Sequence, residues 1–299
     1  MKLTKRRIKK QKLFESIIPY LFLSPSLLIL TIFLFAPMIY SLGLMFYDWE
    51  LTSPPKYIGL RNYEMLFNDV IFRKAIFNTV YFVLGSVPLS VFPALLLAWI
   101  LNMKWFKGGG FFETIYFIPV VSGWVEVAMI WRFLLDSKLG FINYILSIFG
   151  LPGQNWLTDP TLVMTSIIFV HAWKLVGYNL VIFRSALSSI PQIYYEAAMV
   201  DGASSLQTFR YIIIPLLVPL LFFVLTINTI WSFYVFPQVY VLTYGGPGYA
   251  SYTMVFYLYR YAFIHYEMGY AVAAAFVLFV FISVFAYVQR RIFAKEVRY

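Results

Sequence analysis

An all-α integral membrane protein with six transmembrane helices is the fold class this sequence predicts, and three observations carry it. Of 299 residues, 62% are hydrophobic and 12% charged, with a mean hydropathy of +0.78. Soluble domains run at about 45–50% apolar and about 25% charged. Apolar runs with few charges recur at or above the roughly 20 residues that cross a bilayer as a helix. Lys and Arg are shared unevenly among the segments that join those runs. Spanning segments are taken as helices because lipid offers no partner to a backbone N–H or C=O, so each must be satisfied within its own helix.

The elements follow in order. Residues 1–16 form a basic head with Lys2, Lys5, Arg6, Arg7, Lys9, Lys10 and Lys12. The apolar stretch 17–46 exceeds the about 7–15 residues of a signal-peptide core and has no small-residue cleavage pattern after it, which predicts a retained first span. A loop at 48–75 leads to the second span, 76–102, and a short turn with Lys104 and Lys107 leads to the third, 111–133. Loop 134–159 precedes the fourth span, 160–185. A longer connection, 186–212, precedes the fifth, 213–235. The loop 236–266 contains Gly245-Gly246-Pro247-Gly248, a cluster that ends regular structure. The sixth span, 267–289, is followed by a basic tail, 290–299. Residues 17–289 therefore make one transmembrane domain, with no polar segment long enough for a second. Pro25, Pro37, Pro88, Pro93, Pro119 and Pro219 fall inside the spans, where bends are tolerated if neighbours recover the lost hydrogen bond.

Six crossings put both termini on one side. Fifteen Lys and Arg fall on that side and seven on the other, so the positive-inside rule predicts that both termini are cytoplasmic. This topology accounts for the net charge of +10 without nucleic acid, since the charges flank the membrane rather than form a continuous basic face. Cysteine is absent, which excludes disulfides, thiol chemistry and cysteine-ligated metals. No spacing of metal ligands accompanies the two histidines. No nucleophile, acid–base pair or metal set converges in sequence, which argues against a membrane-embedded enzyme.

The connection 186–212 departs from the other short inner loops. Pro191 opens a first short helix, where its missing N–H costs nothing. Gly202 ends that helix in the left-handed conformation that other residues pay to adopt. Ser204 and Gln207 have capping-box spacing for a second helix. Ala197 and Ala198 leave the backbone approachable beside one carboxylate, Glu196. Asp201 sits near the C-terminal end of the first helix, against the helix dipole. Local physics thus predicts a helix-turn-helix of a size that fills a groove on another protein, without naming the partner.

Glu196-Ala-Ala-Met-Val-Asp201-Gly202-Ala203, followed by Ile212-Ile-Ile-Pro215, resembles the EAA loop of binding-protein-dependent ABC importer permeases. Leu242-Thr243-Tyr244-Gly245-Gly246-Pro247, Gly269-Tyr270-Ala271, Gly59-Leu60-Arg61-Asn62-Tyr63 and Asn78-Thr79 look like the maltose-type sugar permease branch. The resemblance spans nearly the whole chain. Ile214 stands where the family usually has leucine before the proline, a volume-conserving change. The resemblance implies a type I importer permease in a bacterial or archaeal cell membrane. It implies a second homologous permease subunit, two cytoplasmic ATPase subunits and an extracytoplasmic solute-binding protein as partners. It implies that the segment 186–215 docks an ATPase, with Glu196 pairing to it and Gly202 permitting the turn. The sequence has no Gly-x-x-x-x-Gly-Lys-Ser/Thr phosphate loop, so ATP and magnesium are expected on the partner subunit, with no cofactor and no hydrolysis on this chain. A secondary transporter or channel would also show six spans but needs no such loop.

Charged groups within spans are functional candidates by default, which singles out Glu126 in the third span and Lys174 in the fourth. They are expected either to compensate each other in a structural pair or polar wall, or to contact solute. His171 lies one helical turn before Lys174 and is read as a packing histidine with hydrogen-bonded nitrogens. On the fifth span, Thr226, Asn228, Trp231, Ser232 and Tyr234 mix hydrogen-bonding groups with flat rings. That mixture suits a sugar, whose apolar face stacks on a ring while amides and hydroxyls bind its oxygens. Aromatic residues also collect at membrane interfaces by partitioning alone. Gly269, Ala271, Ala273, Ala274 and Ala275 are read as allowing close helix packing. The expected solute is a di- or oligosaccharide, with glycerol phosphate or a related polyol as the rival.

Overall fold

The computed structural model of the protein describes residues 18–103 and 106–293. The helices are α1 (Ile18–Leu44), α2 (Arg61–Asn68), α3 (Val70–Leu101), α4 (Gly109–Val121), α5 (Trp124–Leu134), α6 (Phe141–Ile148), α7 (Val163–Ser189), α8 (Gln192–Val200), α9 (Ser205–Phe233), α10 (Pro237–Leu242), α11 (Met254–Ile264) and α12 (Met268–Phe293). An antiparallel pair, β1 (Tyr47–Asp48) and β2 (Lys56–Tyr57), sets Tyr47 against Tyr57 and Asp48 against Lys56. The predicted basic head 1–16, Lys104, and Lys295 and Arg298 of the predicted tail lie outside the described residues.

Among the described residues, α1, α3, α7, α9 and α12 are each long and apolar enough to cross a bilayer. They correspond to five of the six predicted spans, with shifted edges. The 32-residue α3 reaches about 48 Å at 1.5 Å per residue, well beyond a hydrocarbon core of about 30 Å. Its early start has a local cause: the Asp69 side chain accepts from the Ile71 N–H at 2.7 Å and caps the helix. Pro88 and Pro93 remain inside it.

The third predicted span, 111–133, is not one helix. The chain breaks at Ser122-Gly123 into α4 and α5, which are bent by 101°. Six crossings result when this pair counts as one broken span. Pro119, the expected bend, stays inside α4, whereas Ser122 and Gly123 turn extended with ψ of 150° and 160°. A Cβ on Gly123 would lie 2.0 Å from Glu126 Oε2, so any larger residue there would push the folded-back carboxylate aside.

The second predicted helix of the loop also differs in extent. The capping box at Ser204 opens α9, which continues through the fifth span to Phe233. A π-helical segment, Phe209–Ile213, lies just before Pro215, and another, Thr31–Phe35, lies just before Pro37. The wider turn accommodates a proline ring that would otherwise meet the carbonyl four residues back.

The core forms where α3 lies along α7 and against α9, with Phe82, Phe183, Ile167 and Leu180 fully buried. α4 crosses α7 so closely that a Cβ on Gly177 would fall 1.9 Å from the Tyr116 carbonyl oxygen. A Cβ on Gly269 would likewise fall 1.9 Å from the Tyr47 carbonyl oxygen, and Ala271, Ala273 and Ala274 are buried while Ala275 is exposed, so this stripe packs helices, as its composition predicts. By contrast, α1 presents Phe22, Phe33 and Ile39 outward. The 27 residues of α7 separate its two ends by about 40 Å, with α8 at one end and the loop holding Thr158 at the other.

Candidate functional site

The loop after α7 is built by local chemistry. Pro191 is the residue before the first turn of α8, one position earlier than its predicted place. At the other end, the Gly202 N–H donates to Met199 O at 3.1 Å and the Ala203 N–H to Ala198 O at 2.9 Å. Gly202 stands at φ +71°, which completes a Schellman motif with Asp201 as the C-cap. Ser204 Oγ accepts from Gln207 N–H at 3.3 Å, and Gln207 Oε1 accepts from Ser204 N–H at 2.7 Å. The predicted capping box is therefore formed.

Glu196, Ala197, Asp201 and Gly202 are exposed on this turn. The Glu196 carboxylate takes no partner among the described residues. Ala198 departs from the expected outward pair: it is buried against the chain itself. The reason is helical period, since Tyr195 and Ala198 share the face of α8 that turns toward α7 and α9. Behind that face lies a cavity of about 490 Å³ lined by Trp99, Leu187, Tyr195 and Ala203. Burial raises the Tyr195 phenol above its ordinary pKa, and its hydroxyl takes no protein partner among the described residues. Nearby, Arg184 of α7 pairs with Glu113 of α4, and a Cβ on Gly109 would lie 2.7 Å from its guanidinium Nη2.

The intramembrane charges Lys174 and Glu126 make no direct ion pair among the described residues, although the Glu126 charge still acts on the Lys174 ammonium. Lys174 is 5% exposed; its Nζ donates to the Ser122 carbonyl and lies 4.4 Å from the Trp124 ring centroid. Glu126 is exposed in the first turn of α5 and makes no ion pair with Lys174. The helix break explains both placements. A cation at the end of α4 and a carboxylate at the start of α5 each complement the local helix dipole. Lys174 is thus enclosed where α7 meets the α4–α5 break. His171 packs as expected: its ring stacks on Trp124 at 4.9 Å, Gln238 Nε2 donates to Nδ1 at 2.9 Å, and Nε2 faces Ser232 Oγ at 3.4 Å.

Asn228, expected along the solute path, is instead fully buried. Its Nδ2 donates to Asn179 Oδ1 at 2.8 Å, and Asn179 Nδ2 donates back at 3.1 Å. Ser90 Oγ adds a bond to Asn228 Oδ1 at 3.2 Å, which ties α9 to α7 and α3. The side chain's capacity is spent on its own helices, because an unmet amide in this interior is costly. Trp231, on the same helix, and Tyr234, just past its end, stay 41% and 56% exposed, and Trp231 leans on Tyr178 with ring centroids 5.0 Å apart. Tyr178 is one turn along α7 from Lys174.

Residues given no role by the sequence, among them the Asn78-Thr79 and Tyr270 positions quoted for the resemblance, organise the opposite end. Asp69 Oδ2 accepts from Tyr257 at 2.6 Å, with Tyr261 and Tyr270 at 3.3 and 3.4 Å. Burial first, then the bond to Asp69, pushes the Tyr257 phenol far above its ordinary pKa. Asn78 Nδ2 donates to the carbonyls of Tyr249 and Tyr252 at 3.0 and 2.9 Å, and Thr79 Oγ1 accepts from Met254 N–H at 2.8 Å. The Asn78-Thr79 pair therefore braces the loop after Gly245–Gly248. Polar residues within the apolar run of α3 were the available signal for it.

The sequence matches the family described as "Binding-protein-dependent transport system inner membrane component" over residues 65–299. The "Probable ABC transporter permease protein YurN" of Bacillus subtilis (strain 168) is 37% identical over 283 residues, covering 93% of this chain and 97% of that protein. The "Lactose transport system permease protein LacF" of Rhizobium radiobacter is 32% identical, covering 90% and 92%. The "sn-glycerol-3-phosphate transport system permease protein UgpA" of Escherichia coli (strain UTI89 / UPEC) is 31% identical, covering 94% and 96%. A chain of a bacterial ABC transporter involved in import of the acidic polysaccharide alginate superposes with a TM-score of 0.84 at 27% identity, covering 96% of this chain and all of that one. A chain of a bacterial alginate ABC transporter in complex with an alginate pentasaccharide-bound periplasmic protein gives 0.81 at 25% identity, covering 94% and 95%.

Proposed function

This chain belongs to the family of binding-protein-dependent transport system inner membrane components, and from that premise we propose that it passes a di- or oligosaccharide, delivered by an external solute-binding protein, through an ATP-driven importer. It is a multi-pass membrane permease, with ATP and magnesium held by two cytoplasmic ATPase subunits and a second homologous permease completing the pathway. Both termini and the α8 turn lie on the cytoplasmic side. The single observation that carries the reading is the exposed turn at Gly202. There a short helix offers Glu196, with no partner among the described residues, and ends in a strained position that glycine alone holds cheaply.

On this reading α8 and the start of α9 enter a cleft of an ATPase subunit. Closure of the two ATPases on ATP pulls on α7 and α9, which the Asn179–Asn228 bonds make one body. Among relatives, a lactose permease and an alginate importer support a saccharide, and a glycerol phosphate permease supports the rival polyol phosphate. Lys174 gives the polyol phosphate no support, since its ammonium is engaged by the Ser122 carbonyl and the Trp124 ring. Reconstitution of both permeases and the ATPases in liposomes tests the proposal. Uptake of a saccharide with ATP hydrolysis stimulated by the loaded binding protein is expected. Uptake without ATP or binding protein would instead indicate a secondary transporter.

A further inference from the structure

At the end of α7 away from the α8 turn, the structure holds a cavity of about 670 Å³ between α5, α10 and the loops that follow them. That volume lies within the about 300–1,000 Å³ of small-molecule sites. Its wall includes Arg132, Asp136, Thr158, Tyr240, Thr243 and Tyr244, none of which the transport reading has used. The rings of Tyr240 and Tyr244 sit 5.3 Å apart at 61° and remain partly exposed. Both rings border the cavity and keep part of their surface exposed.

Polar groups surround those faces. One N–H of the Arg132 guanidinium donates to Val241 O at 3.2 Å, and Arg132 forms no ion pair among the described residues. Its planar fork has five donors, so most of its capacity is turned to whatever enters. Asp136 uses Oδ1 to accept from the Lys138 and Leu139 N–H groups, both at 2.9 Å, which leaves Oδ2 outside those bonds. The presentation of Tyr244 costs energy, since it is a bulky residue at φ +52°. Its N–H is held by Val239 O at 2.9 Å, and the Arg260 guanidinium lies 5.7 Å from its ring. Thr243 Oγ1, paired with Ser251 Oγ at 2.7 Å, fixes the preceding residue.

We propose that this cavity binds one sugar ring of the incoming saccharide before it reaches the transmembrane path. The apolar C–H face of the ring stacks on Tyr240 or Tyr244, the Arg132 fork donates to hydroxyl or carboxylate oxygens, and Asp136 accepts from a hydroxyl. The inference rests on the importer reading and adds a subsite to it. Aromatic faces bordered by charged hydrogen-bonding groups suit a ring with one apolar face and a polar rim.

Saturation-transfer NMR on the assembled importer in nanodiscs, without ATP or binding protein, tests this with lactose, maltotriose and an alginate trisaccharide as probes. At least one probe should receive saturation on its ring protons. That signal should vanish in the Tyr240→Ala/Tyr244→Ala double variant, weaken in Arg132→Gln and persist in Tyr240→Phe, which keeps the ring. Silence from all three probes, or a signal that survives the double variant, overturns the subsite. Arg132→Gln, checked by its melting temperature, keeps the test valid if the double variant fails to assemble. A photoreactive side chain at Thr158 that captures the binding protein, with no saccharide signal, makes the cavity a protein socket and overturns the proposal. ATP hydrolysis stimulated by the loaded binding protein is read in the same preparation. Stimulation without saturation transfer removes only the subsite, whereas absence of both stimulation and uptake removes the importer reading.

Discussion

Asn228 of α9 and Asn179 of α7 exchange amide hydrogen bonds of 2.8 and 3.1 Å in a fully buried position. This pair joins the helix that follows the α8 turn to the helix that precedes it. Replacing Asn228 by Leu leaves the Asn179 amide without that partner, and intramembrane hydrogen bonds of this kind are worth about 0.6–1.7 kcal/mol. A double-mutant cycle over Asn179→Ala and Asn228→Ala, read by thermal unfolding in detergent, should give a coupling energy in that range. Solute KM of surviving transport should be unchanged. A raised KM with normal stability would return Asn228 to the solute path.

Lys174→Met removes the bond to the Ser122 carbonyl and the cation over Trp124, both of which support the α4–α5 break. The expected result is a lower maximal transport rate with solute KM and ATPase association retained. A cysteine placed at Ser122 should also become more reactive to a water-soluble thiol reagent. A selective change in KM would show that the ammonium meets solute after all.

Gly177→Ala places a methyl group about where the Tyr116 carbonyl already stands. Overpacking of this kind costs about 1–3 kcal/mol, so the variant should melt earlier and accumulate less in the membrane. Gly110→Ala, which meets nothing nearby, is the matched control. Equal melting of the two variants would mean that α4 and α7 are less closely packed than described.

Much of the architecture was legible because hydropathy and turn chemistry act locally. Five spans follow from apolar length alone, and the Gly202 turn with its Ser204–Gln207 box follows from residues within one turn of each other. The break at Ser122-Gly123 was not legible, because the run through it is as apolar as a straight span and its carbonyl partner, Lys174, is fifty-two residues away in sequence. For the same reason the burial of Asn228 was not legible. An amide on a spanning helix reads alike whether it faces solute or a partner, and only the register of α9 against α7 decides. The cavity at Arg132 and Tyr244 depends on two loops meeting, which no periodicity records.

Asp136 offers a pH test at that cavity. The Leu139 N–H first and the Lys138 N–H next hold its carboxyl below the ordinary 3.8. A depressed folded-state pKa means that the turn's added stability is present above the ordinary value and is lost as pH falls through the depressed one. Asp136→Ala should therefore speed amide exchange at Leu139 at neutral pH, and the variant and the parent should converge in acid below the depressed value. A difference that persists there would point to packing rather than charge.

The central claim is that energy enters through the α8 turn, and Glu196→Ala in the reconstituted importer tests it most directly. The measurement is saccharide uptake and ATP hydrolysis side by side, with membrane insertion checked by the amount of permease recovered. The account predicts a permease that inserts normally but either loses its ATPase subunits or hydrolyses ATP without uptake. Gly202→Val, which forces a β-branched residue to φ +71°, should give the same phenotype. Uptake and hydrolysis at parental rates and ratio in both variants would contradict it.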